Sequence, residues 1–388
     1  MKIVFVALAS SFTPGMNYQE NMLAAEFIKM GVELTVVSDS FEYVLGKMNE
    51  TTPGTYILED NLKLIRCKYV KIINTYFSKK FRKIKNLISI LENEKPDIIY
   101  QHGIQMAETK RVVEYVKTHP KVMYIVDSHE DYHNSATNFL SKNILHKLIY
   151  KPKIKKALPY IDKYYYISSE TKKFLIEMYK IKSDKLSYLP LGGIISDEQT
   201  MIFDRNIVRN ELGISDENIV FLHSGKMGKD KKTIELLNAF IKSHNSNQRL
   251  LIVGSFSADI SEEANRLIDS CSDIKFLGWK QGDEIIKIIH ASDIYMQPGT
   301  QSATMQNAMC GKNLVVLYPY ESHKILLGEK CHYIETEKDM EEFIKSVDML
   351  SNFIEFKNEQ FKIAENLLDY KAQCALILNN YESFIKKK

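Results

Sequence analysis

No apolar segment in these 388 residues approaches the roughly 18 needed to span a bilayer, so any membrane contact must be peripheral. Cysteine is sparse and unpatterned. Cys67, Cys271, Cys310, Cys331 and Cys374 form no Cys-x-x-Cys pair, and their odd number suggests neither a disulfide framework nor a zinc site. That favours a reducing compartment, with the cytoplasm as the expected location. A net charge of +3 is too small to suggest a nucleic-acid partner. Two nucleotide fingerprints are also missing. Ala9-Ser-Ser-Phe-Thr-Pro-Gly15 is no Gly-x-Gly-x-x-Gly, which disfavours a nicotinamide dehydrogenase, and Gly225-Lys-Met-Gly-Lys-Asp-Lys-Lys-Thr233 lacks P-loop spacing, which disfavours a P-loop kinase. There is no Asp-x-Asp metal signature, no low-complexity segment and no repeat beyond two similar halves, and no metal or other cofactor is expected.

What is present is enough apolar material, 45% of residues, for two domains with their own cores. Met1 to Ser10 could be mistaken for a signal peptide, but the apolar run is short and leads into a glycine turn and a periodic helix, as a first buried strand would. Short β-branched or aromatic runs alternate with helical stretches, the mark of an α/β chain with parallel sheets. Strands are expected at 3–8, 34–37, 98–100, 122–126 and 164–167, and again at 219–223, 250–253, 274–276, 294–296 and 314–317. Leu191-Gly192-Gly193 before the polar Ser196–Thr200 stretch is the best linker, placing domains at 1–193 and 194–370.

Three stretches of the second half carry chemistry: His223 to Lys232, Phe276-Leu-Gly-Trp279, and Gln297 to Gly311. Each follows an apolar run, so their loops should converge at the carboxyl edge of one sheet. Ser224-Gly225 would permit a sharp turn, and Lys226 and Lys231, five apart before a helix, suit a diphosphate. In the third stretch Gly299, Thr300, Gln301, Ser302 and Ala303 lead to a helix opening at Ser302 or Thr304, whose free N–H groups and positive dipole end would face an anion.

In order and spacing these stretches resemble the two-domain GT-B glycosyltransferases, in particular family 4, which includes bacterial cell-surface polysaccharide and lipopolysaccharide enzymes. The family's Gly-Arg-x4-Lys-Gly is similar to Gly225-Lys226-x4-Lys231, with Lys232 where the last Gly would stand. Its Phe-x-Gly turn resembles Phe276-Leu-Gly278, its Ala-x-x-Asp-x4-Pro run resembles Ala291 to Pro298, and its Glu-Ala-Met-Ala-Cys-Gly helix resembles Gln306-Asn-Ala-Met-Cys-Gly311. In the first half, Pro14 to Asn21, Pro96 to Gly103 and Ile161 to Gly192 are similar to the family's opening loop, fourth-strand ending and approach to the linker, so the resemblance spans nearly the whole chain.

The resemblance implies two Rossmann-like domains whose parallel sheets face each other across a cleft, with a helix from about 371 to 388 returning to the first. It implies transfer of a sugar from a nucleoside diphosphate, a UDP-sugar being favoured, to a glycan or polyprenyl-linked acceptor, without a metal and with a retaining outcome. Donor contacts would come from Gly15, Gly225, Lys226, Lys231, Gly278, Gly299 to Thr304 and Gln306, and the acceptor side from His102, Asn17 and Tyr18. Asp127-Ser-His129-Glu130 follows a buried run, and a His at this strand end in the family lies near the transferred sugar, so His129, Glu130 and Asp127 are the catalytic candidates. One departure concerns the Glu-x7-Glu pair. Gln306 holds the second position and Pro298 lies eight residues earlier, although an amide can still bond ribose hydroxyls. The missing acids keep open a non-catalytic sugar-nucleotide binder or scaffold, and a sugar-nucleotide 2-epimerase shares the fold.

Two basic stretches complete the reading. Phe77, Phe81, Ile84, Ile88 and Leu91 recur at helical spacing against Lys79, Lys80, Arg82, Lys83 and Lys85, and lysines from Lys142 to Lys156 are mixed with Ile144, Leu145, Leu148, Ile149 and Tyr150. Such faces can lie on an anionic membrane, here the inner face of the cell membrane.

Overall fold

Strands of a sheet covered on both faces must be apolar at nearly every position, and most of the runs anticipated in the sequence are strands of this kind. The computed structural model describes residues 1–388 apart from 45, 46, 73, 281, 350 and 351. The chain forms two compact units, one of Met1–Pro190 with Gln373–Lys388 and one of Leu191–Ala372.

The first unit is built on strands β1 (Lys2–Ala7), β2 (Glu33–Asp39), β3 (Phe41–Val44), β4 (Lys47–Glu50), β5 (Gly54–Ile57), β6 (Lys63–Cys67), β7 (Ile98–His102), β8 (Met123–Ser128), β9 (Lys163–Tyr166) and β10 (Leu186–Tyr188). Eight of them form one sheet in the order β10-β9-β8-β7-β1-β2-β6-β5, parallel except for the edge strand β5, while β3 and β4 make a separate hairpin. Val4, Val6, Ile99, Tyr124 and Val126 share one core with Val112, Val116 and Phe174 from the flanking helices Thr109–Thr118 and Ser169–Tyr179. The helix Tyr370–Ile385 supplies most of the returning segment, where Gln373 Nε2 donates to the Pro190 carbonyl at 2.9 Å and Asn380 Nδ2 to Tyr165 Oη at 2.9 Å.

The second unit has an all-parallel sheet of β11 (Ile219–Met227), β12 (Gln248–Phe256), β13 (Ile274–Phe276), β14 (Ile294–Gln297), β15 (Leu314–Leu317) and β16 (His332–Tyr333), ordered β13-β12-β11-β14-β15-β16. The two-residue period of a strand divides its core in two. Leu222, Leu251, Val253, Tyr295 and Val315 fill one face, and Phe221, Leu250, Ile252, Ile294 and Val316 the other. Each fully buried aliphatic chain of this set contributes on the order of 1.5–3 kcal/mol, which outweighs any local preference of the polar loops between strands.

The structure departs from two expectations. Ser224 and Gly225 make no turn, because β11 runs on to Met227 and pairs residue by residue with β12, Gly225 beside Gly254 and Lys226 beside Ser255. A Cβ on Gly254 would stand 1.9 Å from the Gly225 carbonyl oxygen, so only glycine admits this approach. The apolar positions from Phe77 to Leu91 do not form one helix. Helix Thr75–Phe81 stops at Arg82, which is left-handed at φ 49°, the Val70 N–H reaches the Lys83 carbonyl at 2.7 Å, and a second helix runs Leu87–Glu94.

Candidate functional site

Ligands of open parallel sheets bind beyond the carboxyl ends of the strands, where the strand order reverses. In the first unit that point lies at β1, which pairs with β2 on one side and β7 on the other. In the second it lies at β11, between β12 and β14. The loops singled out from the sequence leave these very strands: Pro14 to Tyr18 after β1, His102 at the end of β7, Gly228 to Lys232 after β11, and Pro298 to Thr304 after β14.

In the second unit the two loops are tied together. Lys231 Nζ donates to the carbonyls of Thr300 at 2.7 Å and Gln301 at 2.5 Å, Thr300 N–H to the Asp230 carbonyl at 3.0 Å, and Thr300 Oγ1 to Asp230 Oδ2 at 2.7 Å. Gly299 allows this, since a Cβ there would stand 2.2 Å from the Asp230 carbonyl oxygen. Burial lowers the pKa of Lys231 against the opposing pull of Asp230. With two N–H groups on loop carbonyls, Lys231 keeps one for a ligand. Lys226 is exposed, 5.8 Å from the centre of the Trp279 ring. Gly278, at φ 68°, turns the chain ahead of that ring, and its carbonyl accepts from Gly254 N–H at 2.8 Å. Ser302 Oγ accepts from Thr304 N–H at 3.4 Å at the start of helix Thr304–Cys310, and Ala303 is exposed beside it. Gln306 lies on that helix, its Oε1 buried without a hydrogen-bond partner.

His223 has a different role from its loop neighbours. Its Nδ1–H donates to the Met296 carbonyl at 2.8 Å and Nε2 accepts from Thr233 Oγ1 at 3.0 Å, joining β11, β14 and helix Thr233–Ser243. Burial drives its pKa down to about 4, so it is a neutral tie beneath the loops. Lys232 adopts φ 53°, a left-handed backbone that accounts for the glycine its motif would carry there. Asp293, from the Ala291 to Pro298 run, accepts from Val220 N–H at 2.9 Å and from buried Arg209 at 2.7 Å, and so anchors β14 to β11 and helix Glu198–Leu212.

The first unit gathers a second cluster. Asp127, buried within β8, takes His102 Nδ1–H at 3.0 Å and Tyr100 Oη–H at 3.1 Å on Oδ2, and Gly103 N–H at 3.0 Å on Oδ1. His129 Nε2 stands 3.5 Å from the same Oδ2, and the two imidazole centres are 4.5 Å apart. Burial by itself would lower the pKa of His102, but Asp127, then Glu20 and Glu130, override it and raise it to about 9. Burial likewise opposes ionisation of Asp127, yet His102 and His129 hold its carboxyl well below the usual range. The result is an imidazolium clamped to a carboxylate, with the half-exposed His129 beside it. His102, Asp127 and His129 each offer a ligand atom within 4.8 Å of the others, a spacing that could admit a metal ion, although hydrogen bonds already occupy both oxygens of Asp127.

Glu130 is half-exposed and its Oε2 accepts from His129 N–H at 3.2 Å. Gly15, Asn17 and Tyr18 are exposed in the loop after β1, and Tyr18 precedes helix Gln19–Lys29. Glu20, on that helix, went unmarked in the sequence although it is buried with Oε2 3.8 Å from His102 Nε2. Its only signal was an acid in the first turn of the helix that follows β1.

Together the topology and these loops define an α/β fold with parallel sheets that matches the GT-B glycosyltransferases. No family model and no curated protein matches the sequence. Among solved structures, a glycosyltransferase from Rickettsia africae is similar at a TM-score of 0.68 and 14% identity, over 100% of this chain and 99% of that one. Anabaena HepE, crystallised with UDP and glucose, is similar at 0.63 and 14%, over 99% and 100%. Sucrose-phosphate synthase from Thermosynechococcus elongatus gives 0.67 and 11%, over 100% of both chains.

Proposed function

We propose that this chain is a glycosyltransferase that moves a hexose from a nucleoside diphosphate, a UDP-sugar being favoured, to a glycan or polyprenyl-linked acceptor, in bacterial surface-polysaccharide synthesis of the family 4 kind. The observation that carries this reading is the coincidence of both switch points with groups of matching chemistry: lysine, glycine and amide groups after β11 and β14, and the His102–Asp127–His129 cluster at the carboxyl ends of β7 and β8. Residues 194–370 act as the donor side, and residues 1–193 with about 371–388 as the acceptor side.

As the bond from the anomeric carbon to the diphosphate oxygen breaks, the leaving group gains negative charge. Lys226, the remaining N–H of Lys231 and the backbone amides between Gly299 and Thr304 that are not already bonded within the loop, as those of Thr300 and Thr304 are, stabilise it, a role that needs no divalent ion. Lys231 acts through the loop as much as on the ligand, since it fixes the carbonyls of Thr300 and Gln301. Gly225 and Gly278 admit the nucleotide close to the backbone, and the Gln306 amide, with its unpartnered Oε1, meets the ribose hydroxyls. On the other side His129 positions the sugar, Asp127 and Glu130 hold His129, and Gly15, Asn17, Tyr18 and His102 bound the acceptor. The outcome proposed is retention, and the location the cytoplasm.

Support for a membrane-borne acceptor comes from the helix Leu140–Tyr150, which is wound in π fashion. Phe139, Leu140, Ile144 and Leu148 form a stripe along it, Phe139 75% and Leu148 69% exposed, amid Lys142, Lys147, Lys151 and Lys155. No helix among the described residues is long and apolar enough to cross a membrane.

Calorimetry with UDP tests the donor side. Lys226→Ala and Lys231→Ala should each weaken binding by roughly 1.5–3 kcal/mol, the range for charged hydrogen bonds. Unchanged affinity in both variants would remove the proposal's donor site. A sugar-nucleotide-binding scaffold is the second reading, favoured by the amide of Gln306 where an acid would stand. It predicts UDP affinity without turnover.

A further inference from the structure

At the amino-terminal edge of the second unit's sheet, away from the loops after β11 and β14, three side chains of different chemistry meet. His244 caps the end of helix Thr233–Ser243, Cys271 follows helix Ser261–Asp269, and Asp273 precedes β13. Their ligand atoms all lie within 4.8 Å of one another, with His244 Nε2 3.2 Å from Asp273 Oδ2 and 3.7 Å from Cys271 Sγ. We propose that His244, Cys271 and Asp273 form a binding site for a zinc-type divalent cation.

Three observations support this. First, the tautomer is set. His244 Nδ1 lies 2.8 Å from the Phe240 carbonyl, which can only accept, so Nδ1 carries the proton. In the neutral ring Nε2 is then a lone pair facing Asp273 Oδ2 and the Cys271 thiol, so a cation among the three atoms would take the place of the thiol proton that Nε2 accepts. An Nδ1–H to backbone carbonyl bond is also the usual way a metal-bound histidine is oriented. Second, the spacing fits. Zinc bonds of about 2.0–2.2 Å to N and O and about 2.3 Å to S, at tetrahedral angles, place N and O about 3.4 Å apart and N and S about 3.6 Å apart. The contacts found, 3.2 and 3.7 Å, bracket those values. Third, the second shell is built. Arg249 Nη1 holds the other Asp273 oxygen at 3.1 Å while donating to the carbonyls of Ser246 at 2.8 Å and Gln248 at 2.7 Å, which leaves Oδ2 for the ion.

A thiolate with an imidazole and one carboxylate selects zinc over magnesium or calcium, which prefer all-oxygen sets. Binding replaces the thiol proton: Cys271–SH releases H⁺ as sulfur takes the metal, and the half-exposed position of all three residues leaves the fourth place to water. Such an ion would join the ends of two helices to the entry of β13, at the far end of the helix that begins just after Lys231 and Lys232.

The site does not depend on glycosyl transfer, and its test does not use activity. Metal-free full-length protein is titrated with Zn²⁺ by calorimetry and with Co²⁺ by absorption. We expect one tight equivalent that releases a proton, a cobalt spectrum with thiolate charge-transfer bands, and a Tm that rises with zinc. Cys271→Ser and His244→Ala should each weaken binding by more than about 100-fold, beyond the 10- to 100-fold cost of losing an outer partner, and Cys271→Ser should abolish the charge-transfer bands. His129→Ala should bind zinc like the wild type. Absence of a tight equivalent in the wild type, or retention of it in both His244→Ala and Cys271→Ser, would overturn the assignment. If His244→Ala fails to fold, the milder Cys271→Ser decides alone.

Discussion

His102 makes the stability of the first unit depend on pH in a direction that can be worked out in advance. Its folded pKa of about 9 exceeds the unfolded value of about 6.5, because Asp127 and Glu20 favour the imidazolium despite burial. A raised pKa stabilises wherever the unfolded chain is also protonated, so the contribution is complete below about pH 6.5 and is lost as pH rises through about 9. A difference of some 2.5 units at 1.36 kcal/mol each amounts to about 3 kcal/mol, an order-of-magnitude value for a fully buried group. Urea unfolding followed by circular dichroism from pH 6 to 9.5 reads it directly. The informative quantity is the difference between wild type and His102→Gln, since other groups that titrate in this range cancel in it. That difference should shrink by about 3 kcal/mol as pH rises from 6.5 to 9.5. A constant difference across the range would refute the imidazolium–carboxylate clamp.

Two further outcomes follow from the geometry. Gly254→Ala forces a Cβ to 1.9 Å from the Gly225 carbonyl, so β11 and β12 must part, and a loss of about 3 kcal/mol or more is expected by denaturant unfolding; an alanine variant of native stability would contradict the close pairing. Replacing Phe139 and Leu148 by Glu should reduce sedimentation with vesicles rich in anionic lipid, and salt should weaken the wild type in the same assay; wild-type protein that ignores such vesicles at low salt rules the surface out.

The strands were legible because burial on both faces leaves continuous apolar runs: Ile98–His102 and Leu314–Leu317, buried at every position, fall where the sequence placed runs at 98–100 and 314–317. The loops after β11 and β14 were legible for the same reason, since each interrupts such a run. What failed depended on distant partners. Gly225 reads as a turn until Gly254, far along the chain, pairs beside it and extends β11 to Met227. The Phe77–Leu91 periodicity reads as one helix until the Val70 pairing with Lys83 and the left-handed Arg82 divide it. Glu20 meets His102 only because β1 and β7 are neighbours, a fact of topology that local spacing does not encode. The cluster of His244, Cys271 and Asp273 escaped notice likewise, since no metal-ligand spacing joins residues on separate elements.

Turnover of a UDP-sugar by wild type and by His129→Ala, measured as UDP released with and without chelator, tests the central claim most directly. The account predicts activity in the wild type that survives EDTA, and a fall of about 10²-fold or more in kcat for His129→Ala with UDP affinity nearly unchanged, because the histidine orients the sugar while the second unit holds the nucleotide. Product formed at the same rate by the variant, or wild-type activity that vanishes with chelator and returns with Mg²⁺, would contradict it.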